Sequence, residues 1–284
     1  MAAARAHGAD RLVGGRYRLR EPVGAGGMGA VYRARDERSQ RDVAVKLMNA
    51  RLARDPVHAR RFRAEAELGA RLAHPHIVAV LDAGTDFMVM ELIRGPSARV
   101  LLRRRGRLEP FEAVLLLGQV CAALQHAHDH GVVHQDVSPG NILVGQGGRT
   151  AKLADFGLAG VPGEVARACG ADTVGTPGYV APEVADGAAP SPASDLYSLG
   201  VVAHRFLAGR PRVRPADPDA TAPLPTAVTP PPPSLAEDRP DLPVGLVDAV
   251  ERALDPDPDA RQASADEFRA QLVAGLRPEL ALAA

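Results

Sequence analysis

One stretch of ten residues indicates the fold of this chain most clearly: His134-Gln135-Asp136-Val137-Ser138-Pro139-Gly140-Asn141-Ile142-Leu143. Asp136 stands five residues before Asn141, and the triplet Asp155-Phe156-Gly157 follows downstream. The first carboxylate can accept a proton from a hydroxyl group. The amide oxygen and the second carboxylate are ligands that Mg²⁺ prefers. This order of groups predicts a site for phosphoryl transfer from a metal-bound nucleotide.

The composition is that of an ordinary globular protein of 284 residues, with 46% hydrophobic and 24% charged residues. Its 34 basic and 34 acidic residues cancel, which argues against nucleic acid or an acidic membrane surface as a partner. Two cysteines are too few for a disulfide framework. The N-terminus lacks the apolar run of a signal peptide, and no stretch resembles a membrane span. The sequence therefore predicts a soluble, cytoplasmic protein with no attached sensor domain or membrane anchor.

The order of predicted elements divides the chain into two lobes. Short β-branched and alternating runs predict a small first lobe, residues 16–94, with five strands and one helix at 56–73. Helical periodicity dominates the second lobe, residues 95–275. Residues 1–15 and 276–284 are expected to be the N-terminal and C-terminal tails. Strands are expected at 16–20, 30–34, 43–48, 77–81 and 87–92, and later helices at 97–105, 110–130, 191–208, 244–254 and 263–273. Prolines crowd residues 210–243, where we expect irregular or polyproline-like chain with a short or missing helix.

A glycine-rich segment, Gly24-Ala25-Gly26-Gly27-Met28-Gly29-Ala30-Val31, fits the pattern G-x-G-x-x-G-x-V. Glycines in such a loop let backbone N–H groups approach phosphates, although the same letters also suit a simple hairpin. A strand follows the segment, whereas a dinucleotide-binding unit would need a helix there. A Walker A loop is excluded because each lysine of the chain precedes leucine.

Lys46 ends the strand Val43-Ala44-Val45-Lys46, which matches the V-A-I-K pattern that places a cation on the nucleotide's α and β phosphates. A lone charge in an apolar strand needs a partner. In the predicted helix at 56–73, Glu65 lies on the apolar stripe, whereas Glu67 does not. Glu65 is therefore predicted to be the partner, with a surface glutamate as the other interpretation.

With these motifs in place, the chain resembles the bacterial eukaryotic-type Ser/Thr protein kinases over roughly residues 14–275. The resemblance implies an α+β, two-lobed fold with a small antiparallel β lobe carrying one main helix, a larger mainly α-helical lobe, and ATP in the cleft. Further motifs that carry it are His74-Pro75-His76-Ile77-Val78, Gly175-Thr176-Pro177-Gly178-Tyr179, Ala181-Pro182-Glu183, Ser194-Asp195-Leu196-Tyr197-Ser198-Leu199-Gly200 and Arg261.

The resemblance also assigns roles to residues of the site. Asp136, Lys46 and Asn141 would be catalytic, and Asn141 and Asp155 would hold Mg²⁺. The adenine would bond to the backbone of Glu91 and Ile93, after a gatekeeper at Met90. The full set of residues implied for ATP binding is Val23, Gly24, Gly26, Gly29, Val31, Ala44, Lys46, Glu65, Met90, Glu91, Ile93 and Asp155.

Three structural roles follow from the same resemblance. Glu183 and Arg261 would form an ion pair inside the larger lobe. His134 would be a structural residue of its loop rather than a base, and Thr176 would lie beside Asp136.

Two residues of the opening stretch depart from the family's pattern. Gln135 stands where an arginine usually receives a phosphate from the activation segment, so we predict that Thr173 is not an essential switch. Ser138 stands where a lysine usually approaches the transferred phosphoryl group. Losing one such contact, worth about 1.5–3 kcal/mol, would slow the transfer by about ten to a few hundredfold.

Three functions remain open on the sequence alone. The first is an active Ser/Thr protein kinase that transfers phosphoryl groups from ATP, with Mg²⁺, to protein hydroxyls. It is favoured because the chain contains all of the implied catalytic groups. The second is a nucleotide-binding pseudokinase that serves as a regulatory or interaction module, favoured by Gln135, Ser138 and the proline-rich stretch. The third is a small-molecule phosphotransferase, against which Ala181-Pro182-Glu183 and the preceding segment argue. The sequence leaves the oligomeric state open.

Overall fold

The computed structural model describes residues 11–26, 29–49, 52–156, 176–209 and 234–282. The chain divides into two compact units. The first contains the described residues up to Arg94, together with Asp155 and Phe156, and the second contains Gly95–Ala154 and the described residues from Thr176 onward. Among these residues, no helix combines the length and the apolar character needed to cross a bilayer.

The first unit is built on an antiparallel sheet in which the strand order is β1-β2-β3-β4-β6-β5. Its described strands are β1 (Leu12–Val13), β2 (Tyr17–Gly26), β3 (Gly29–Asp36), β4 (Arg41–Met48), β5 (Val80–Ala83) and β6 (Phe87–Glu91). One long helix, α1 (Pro56–Arg71), connects β4 to the β5–β6 pair.

Strand β4 lies in the sheet interior, and the twofold alternation of its side chains gives each face of the sheet a core. Val43 and Val45 point to one face, where they pack with Leu19 and Val89. The other face carries a cluster that includes Met48 of β4, Met88 of β6, and Phe62 and Ala66 of α1. Lys46, which is two residues before Met48, therefore belongs to the face covered by α1.

The second unit is mainly helical. Its described helices are α2 (Ala98–Arg105), α3 (Pro110–Asp129), α4 (Pro182–Ala185), α5 (Pro192–Ala208), α6 (Leu235–Asp238), α7 (Val244–Ala253) and α8 (Ala265–Leu282). A short antiparallel pair, β7 (Ile142–Val144) and β8 (Ala151–Leu153), follows the loop that contains Asp136.

Helix α5 shows how local sequence fixes the borders of a buried element. Ser191 and Ser194 form a reciprocal capping box at its start, with Pro192 at the first helical position. Gly209 ends the helix in the left-handed conformation at φ 77°. Nearly every residue between these borders is buried.

The predicted fold class is confirmed, because the first unit is an antiparallel sheet with one long helix and the second is mainly helical. Several predicted borders are wrong. Strand β1 lies within the stretch assigned to an N-terminal tail, and Val13 is buried against the sheet. Two residues are too short a run to show a periodicity. The strand expected at 77–81 begins only at Val80, and the single turn α4 was not predicted. Helix α6, also a single turn, lies in the proline-rich stretch, where a short or missing helix was expected.

The last helix continues to Leu282 rather than ending at residue 273, so it includes residues assigned to a C-terminal tail. Gly275 lies inside this helix, although glycine costs about 1 kcal/mol there relative to alanine. The structure gives its reason: a Cβ at Gly275 would lie 2.6 Å from the carbonyl carbon of Gly245 in α7. The glycine therefore allows the two helices to pack closely and does not end α8.

Candidate active site

Lys46 is buried in the first unit between two carboxylates. Its Nζ donates a 2.7 Å hydrogen bond to Oε1 of Glu65 on α1 and another to Oδ1 of Asp155. Lys46 is 6% exposed and Glu65 is 5% exposed, whereas Glu67 points to solvent. The pairing of Lys46 with Glu65 predicted from helical periodicity is therefore present.

The electrostatics of this triad follow from burial and proximity. Burial alone would lower the pKa of Lys46, but the negative charges of Asp155 and Glu65 outweigh it and raise that pKa. Burial raises the pKa of Glu65 to about 7, because the like charge of Asp155 offsets part of the attraction to Lys46. Lys46 is therefore a permanent cation near neutral pH, whereas Glu65 titrates there.

Asp155 reaches Lys46 from an unusual backbone conformation. Its φ is 66°, in the left-handed region that a non-glycine residue rarely adopts, although aspartate is among those that tolerate it. Phe156, the next residue, is buried, while the side chain of Asp155 remains 44% exposed. The backbone turn thus leaves this carboxylate accessible. Gly157, the last letter of the triplet, lies outside the described residues.

In the second unit, the predicted base and its asparagine neighbour contact one another directly. Nδ2 of Asn141 donates to the backbone oxygen of Asp136 at 2.9 Å and to its Oδ2 at 2.8 Å. The N–H and the hydroxyl of Thr176 donate to Oδ1 of Asp136 at 2.8 and 2.6 Å. Both oxygens of Asp136 therefore accept hydrogen bonds, and the predicted position of Thr176 beside it is confirmed.

A second aspartate, Asp195 at the start of α5, holds the backbone of the loop that contains Asp136. Its Oδ1 accepts the N–H of Gln135 at 2.9 Å, and its Oδ2 accepts the N–H of His134 at 2.8 Å. Nε2 of His128 lies 2.8 Å from the same Oδ2. Asp195 is 1% exposed and supports Gln135 in the left-handed region at φ 70°. Sequence reasoning assigned Asp195 no role, although a charge beside the apolar stripe of a buried helix was the available signal.

His134 is a structural residue, as predicted. It is fully buried, its Nε2 lies 3.1 Å from the backbone oxygen of Ala154, and its Nδ1 accepts the N–H of Asp136 at 3.2 Å. Both ring nitrogens are thus occupied by backbone groups. This arrangement fits the structural role that the family resemblance implies for His134.

The predicted ion pair of Glu183 and Arg261 is also present. Nη1 and Nη2 of Arg261 donate to the two carboxylate oxygens of Glu183 at 2.7 and 2.8 Å. The guanidinium is fully buried, bonds further to the backbone oxygens of Ala193 and Asp255, and lies 4.9 Å from the ring centroid of Tyr197. The pair therefore connects the short helix α4 to the loop between α7 and α8, and Arg261 also reaches the start of α5 at Ala193.

The residues implied for the nucleotide lie on neighbouring strands of the first unit. In the register of the sheet, Val31 is opposite Lys46, and Ala44 is opposite Met90. The N–H of Glu91 donates to the backbone oxygen of Ala79, so an adenine contact at Glu91 would have to use its carbonyl oxygen. Ile93 lies two residues after the end of β6. Their roles as nucleotide contacts stay predictions.

The glycine-rich segment is described only in part, because Gly27 and Met28 lie outside the described residues. Gly29 has φ 155°, and a Cβ there would lie 3.0 Å from the carbonyl carbon of Leu47. Close packing against β4 therefore requires this glycine whether or not phosphate binds. Gly24 has no such neighbour, and Val23 is 58% exposed. The structure thus gives a packing reason for one of the three glycines.

Two further predictions fall on parts of the chain that the structure does not describe. Thr173 lies within residues 157–175, and most of the proline-rich stretch lies within residues 210–233. The expected dispensability of Thr173 stays a prediction.

The first unit buries the pair of Lys46 and Glu65 beside Asp155, and the helical unit carries the loop with Asp136 and Asn141. These features are those of the catalytic domain of a kinase. The model of the family described as protein kinase domain matches residues 17–266, and the chain belongs to this family.

Individual relatives agree with this assignment. The serine/threonine-protein kinase PknA of Mycobacterium tuberculosis is 40% identical over 276 residues, which cover 93% of this chain and 63% of PknA. The serine/threonine-protein kinase PknB of Mycolicibacterium smegmatis is 38% identical over 268 residues, which cover 91% of this chain and 42% of PknB. The crystal structure of the Mycobacterium tuberculosis PknI kinase domain matches with a TM-score of 0.73 at 30% identity, covering 94% of this chain and 99% of that domain. The chain thus spans only about two fifths to somewhat under two thirds of the full-length relatives.

Proposed function

We propose that this chain is a Ser/Thr protein kinase that transfers the γ-phosphoryl group of ATP to hydroxyl groups of a protein substrate. The observation that carries the proposal is the position of the Lys46 ammonium, held by Glu65 and Asp155 in a buried strand. Burying a charge is costly unless it is paired, and this pairing fixes the cation in one orientation. The names of the relatives PknA and PknB support the same activity.

The proposed cofactors are ATP and Mg²⁺. When bound, the metal neutralises the charge that develops between the β- and γ-phosphates. The oxygen donors of Asn141 and Asp155 suit this hard cation. Because the amide nitrogen of Asn141 bonds to Asp136, the amide oxygen points the other way, which leaves it able to serve as a ligand.

Asp136 is proposed to orient the acceptor hydroxyl and to take its proton. The contact with Thr176 shows that a hydroxyl group can approach Oδ1 to 2.6 Å, within the distance that proton transfer requires. Asn141 and the backbone of Thr176 hold the carboxylate in one rotamer. The base is therefore positioned before any substrate arrives.

Ser138 makes this proposed kinase slower than one with a lysine at that position. Ser138 is 1% exposed, and its Oγ has no hydrogen-bond partner among the described residues. A buried neutral hydroxyl cannot replace a cation on the transferred phosphoryl group. The expected deficit is about ten to a few hundredfold in rate, as for one lost charge-assisted contact.

The two lysines of the chain provide a matched test. With ATP labelled at the γ position, Mg²⁺ and a generic protein acceptor, Lys46→Met should lower phosphoryl transfer at least about a hundredfold. Lys152→Met, which removes the other lysine from β8, should leave transfer within about threefold of wild type. Phosphoamino-acid analysis should find the label on serine or threonine.

Other outcomes would point to the alternative functions. Nucleotide binding in a thermal-shift assay, with no transfer that depends on Lys46, would overturn the proposal in favour of a pseudokinase. Transfer to small alcohols but not to protein would overturn it in favour of a small-molecule phosphotransferase.

A further inference from the structure

Arg99, near the start of α2, lies against the loop that contains Asp136. Its backbone N–H donates a 2.8 Å hydrogen bond to the backbone oxygen of Pro139. Its guanidinium covers Gly140: a Cβ at that glycine would lie 2.9 Å from Cζ of Arg99 and 3.2 Å from Nε. Any side chain at residue 140 would thus displace the guanidinium, so Gly140 makes the room that Arg99 occupies.

The charge of Arg99 is exposed and, among the described residues, has no ion-pair partner. Arg105 of the same helix differs, because it forms a 2.7 Å salt bridge with Glu112. Burial raises the pKa of Tyr179, while the positive charges of Arg205 and Arg99 act in the opposite direction. The guanidinium of Arg99 is therefore within electrostatic reach of Tyr179, which follows Thr176 by three residues.

The position of Arg99 relative to Asp136 follows from the fold of the loop. Asn141 bonds back to both the backbone and the side chain of Asp136, so Gly140 is held near the carboxylate. An extended peptide advances about 3.3–3.6 Å per residue. A substrate whose hydroxyl lies at Asp136 would therefore pass the guanidinium within about three residues of that hydroxyl.

We propose that Arg99 is a specificity-determining residue that binds a carboxylate of the acceptor protein within about three residues of the phosphorylated serine or threonine. This inference rests on the proposed function. A guanidinium matches a carboxylate with two parallel hydrogen bonds, and the absence of a Cβ at Gly140 leaves the space that this guanidinium occupies. The acceptor is favoured over the nucleotide because Arg99 lies on the side of the loop near Tyr179 and the segment that begins at Thr176.

The test uses synthetic threonine peptides in which one glutamate is moved through the four positions on each side of the threonine, with glutamine and arginine in matched peptides. The wild-type protein should prefer glutamate over glutamine at one or two positions by roughly three- to tenfold in kcat/KM. Arg99→Glu should reverse the preference toward arginine at those positions. Gly140→Ala should weaken it while leaving the charge in place. Arg104→Glu, on another face of the same helix, should change nothing.

Three results would overturn the inference. One is a wild-type protein that does not distinguish glutamate from glutamine at any position. Another is an Arg99→Glu variant that retains the wild-type preference. The third is an Arg99→Glu variant in which kcat falls equally on every peptide. The guanidinium would then act on the transferred phosphoryl group rather than on a residue of the acceptor. In each case the proposed function still stands if wild type transfers the phosphoryl group and Asp136→Ala does not. If wild type shows no such transfer, the proposed function fails and this inference fails with it.

Discussion

The hydroxyl of Thr176 donates a 2.6 Å hydrogen bond to Oδ1 of Asp136, and its backbone N–H donates to the same oxygen at 2.8 Å. The segment after residue 175 is thereby attached to the proposed base. A carboxylate whose two oxygens accept hydrogen bonds from several donors is held in one orientation. The geometry of the base therefore depends on the residue at position 176 as well as on its own loop.

Replacing Thr176 by valine should lower kcat by about tenfold or more, because the hydroxyl contact to Asp136 is lost while shape and backbone are retained. Thr176→Ser, which keeps the hydroxyl, should stay within about threefold of wild type. Affinity for ATP should be unchanged in both. Steady-state kinetics would contradict this account if valine and serine behaved alike.

The buried pair of Arg261 and Glu183 should be required for stability. Removing one partner leaves a desolvated charge, so Glu183→Gln should lower the free energy of unfolding by about 3–5 kcal/mol. The exposed pair Arg269–Asp266, with an N–O distance of 3.5 Å, provides the control. Arg269→Gln should cost no more than about 0.5 kcal/mol. Urea unfolding of the two variants compares them directly, and equal losses would show that burial is not the deciding factor.

Ser138 contributes a buried hydroxyl with no hydrogen-bond partner among the described residues. Ser138→Ala should therefore be neutral or stabilising by up to about 1 kcal/mol, since it removes an unsatisfied polar group. It should leave the rate of transfer within about twofold of wild type. A marked loss of activity in this variant, with stability unchanged, would show that the hydroxyl takes part in the reaction.

The Glu65 carboxyl should make stability fall as pH rises toward neutrality. Its pKa is about 7 in the folded protein, against an ordinary value of 4.5. Between those values the folded protein holds a proton that the unfolded chain has lost, so stability from this group is present at low pH and is lost as pH rises through about 7. Lys46 stays charged throughout, since its pKa is raised from 10.5.

Urea unfolding at about pH 5 and about pH 8 isolates this effect. Wild type should lose more stability than Glu65→Gln between the two pH values. Equal pH dependence in the two proteins would show that the pKa of Glu65 is not raised.

The sequence predicts those features of the site that depend on local spacing. Helical periodicity is enough to choose Glu65 over Glu67 as the partner of Lys46, because only one of them can face the sheet. The order of Asp136, Asn141 and Asp155 indicates the family before any contact is known. The ion pair of Glu183 with Arg261, by contrast, follows from the family resemblance, since no spacing along the chain brings these residues together.

The remaining features depend on tertiary packing. Asp195 holds the backbone of Gln135 across sixty positions of sequence. Its place beside an apolar helical stripe indicates a buried charge, but no local pattern identifies the partner. Gly275 and Gly140 look like ordinary helix-breaking and loop glycines, yet each makes room for a neighbour, Gly245 and Arg99 respectively. Close approach of this kind is a property of the folded chain, so glycine letters alone do not indicate it.

The central claim is tested most directly by the transfer of labelled γ-phosphoryl to threonine peptides in wild type and in Asp136→Ala. Asp129→Ala, at the exposed end of α3, serves as the control for removing an aspartate. The account predicts a loss of about 10²–10⁴-fold for Asp136→Ala and less than about threefold for Asp129→Ala, with ATP still bound. Equal transfer by wild type and Asp136→Ala would contradict it.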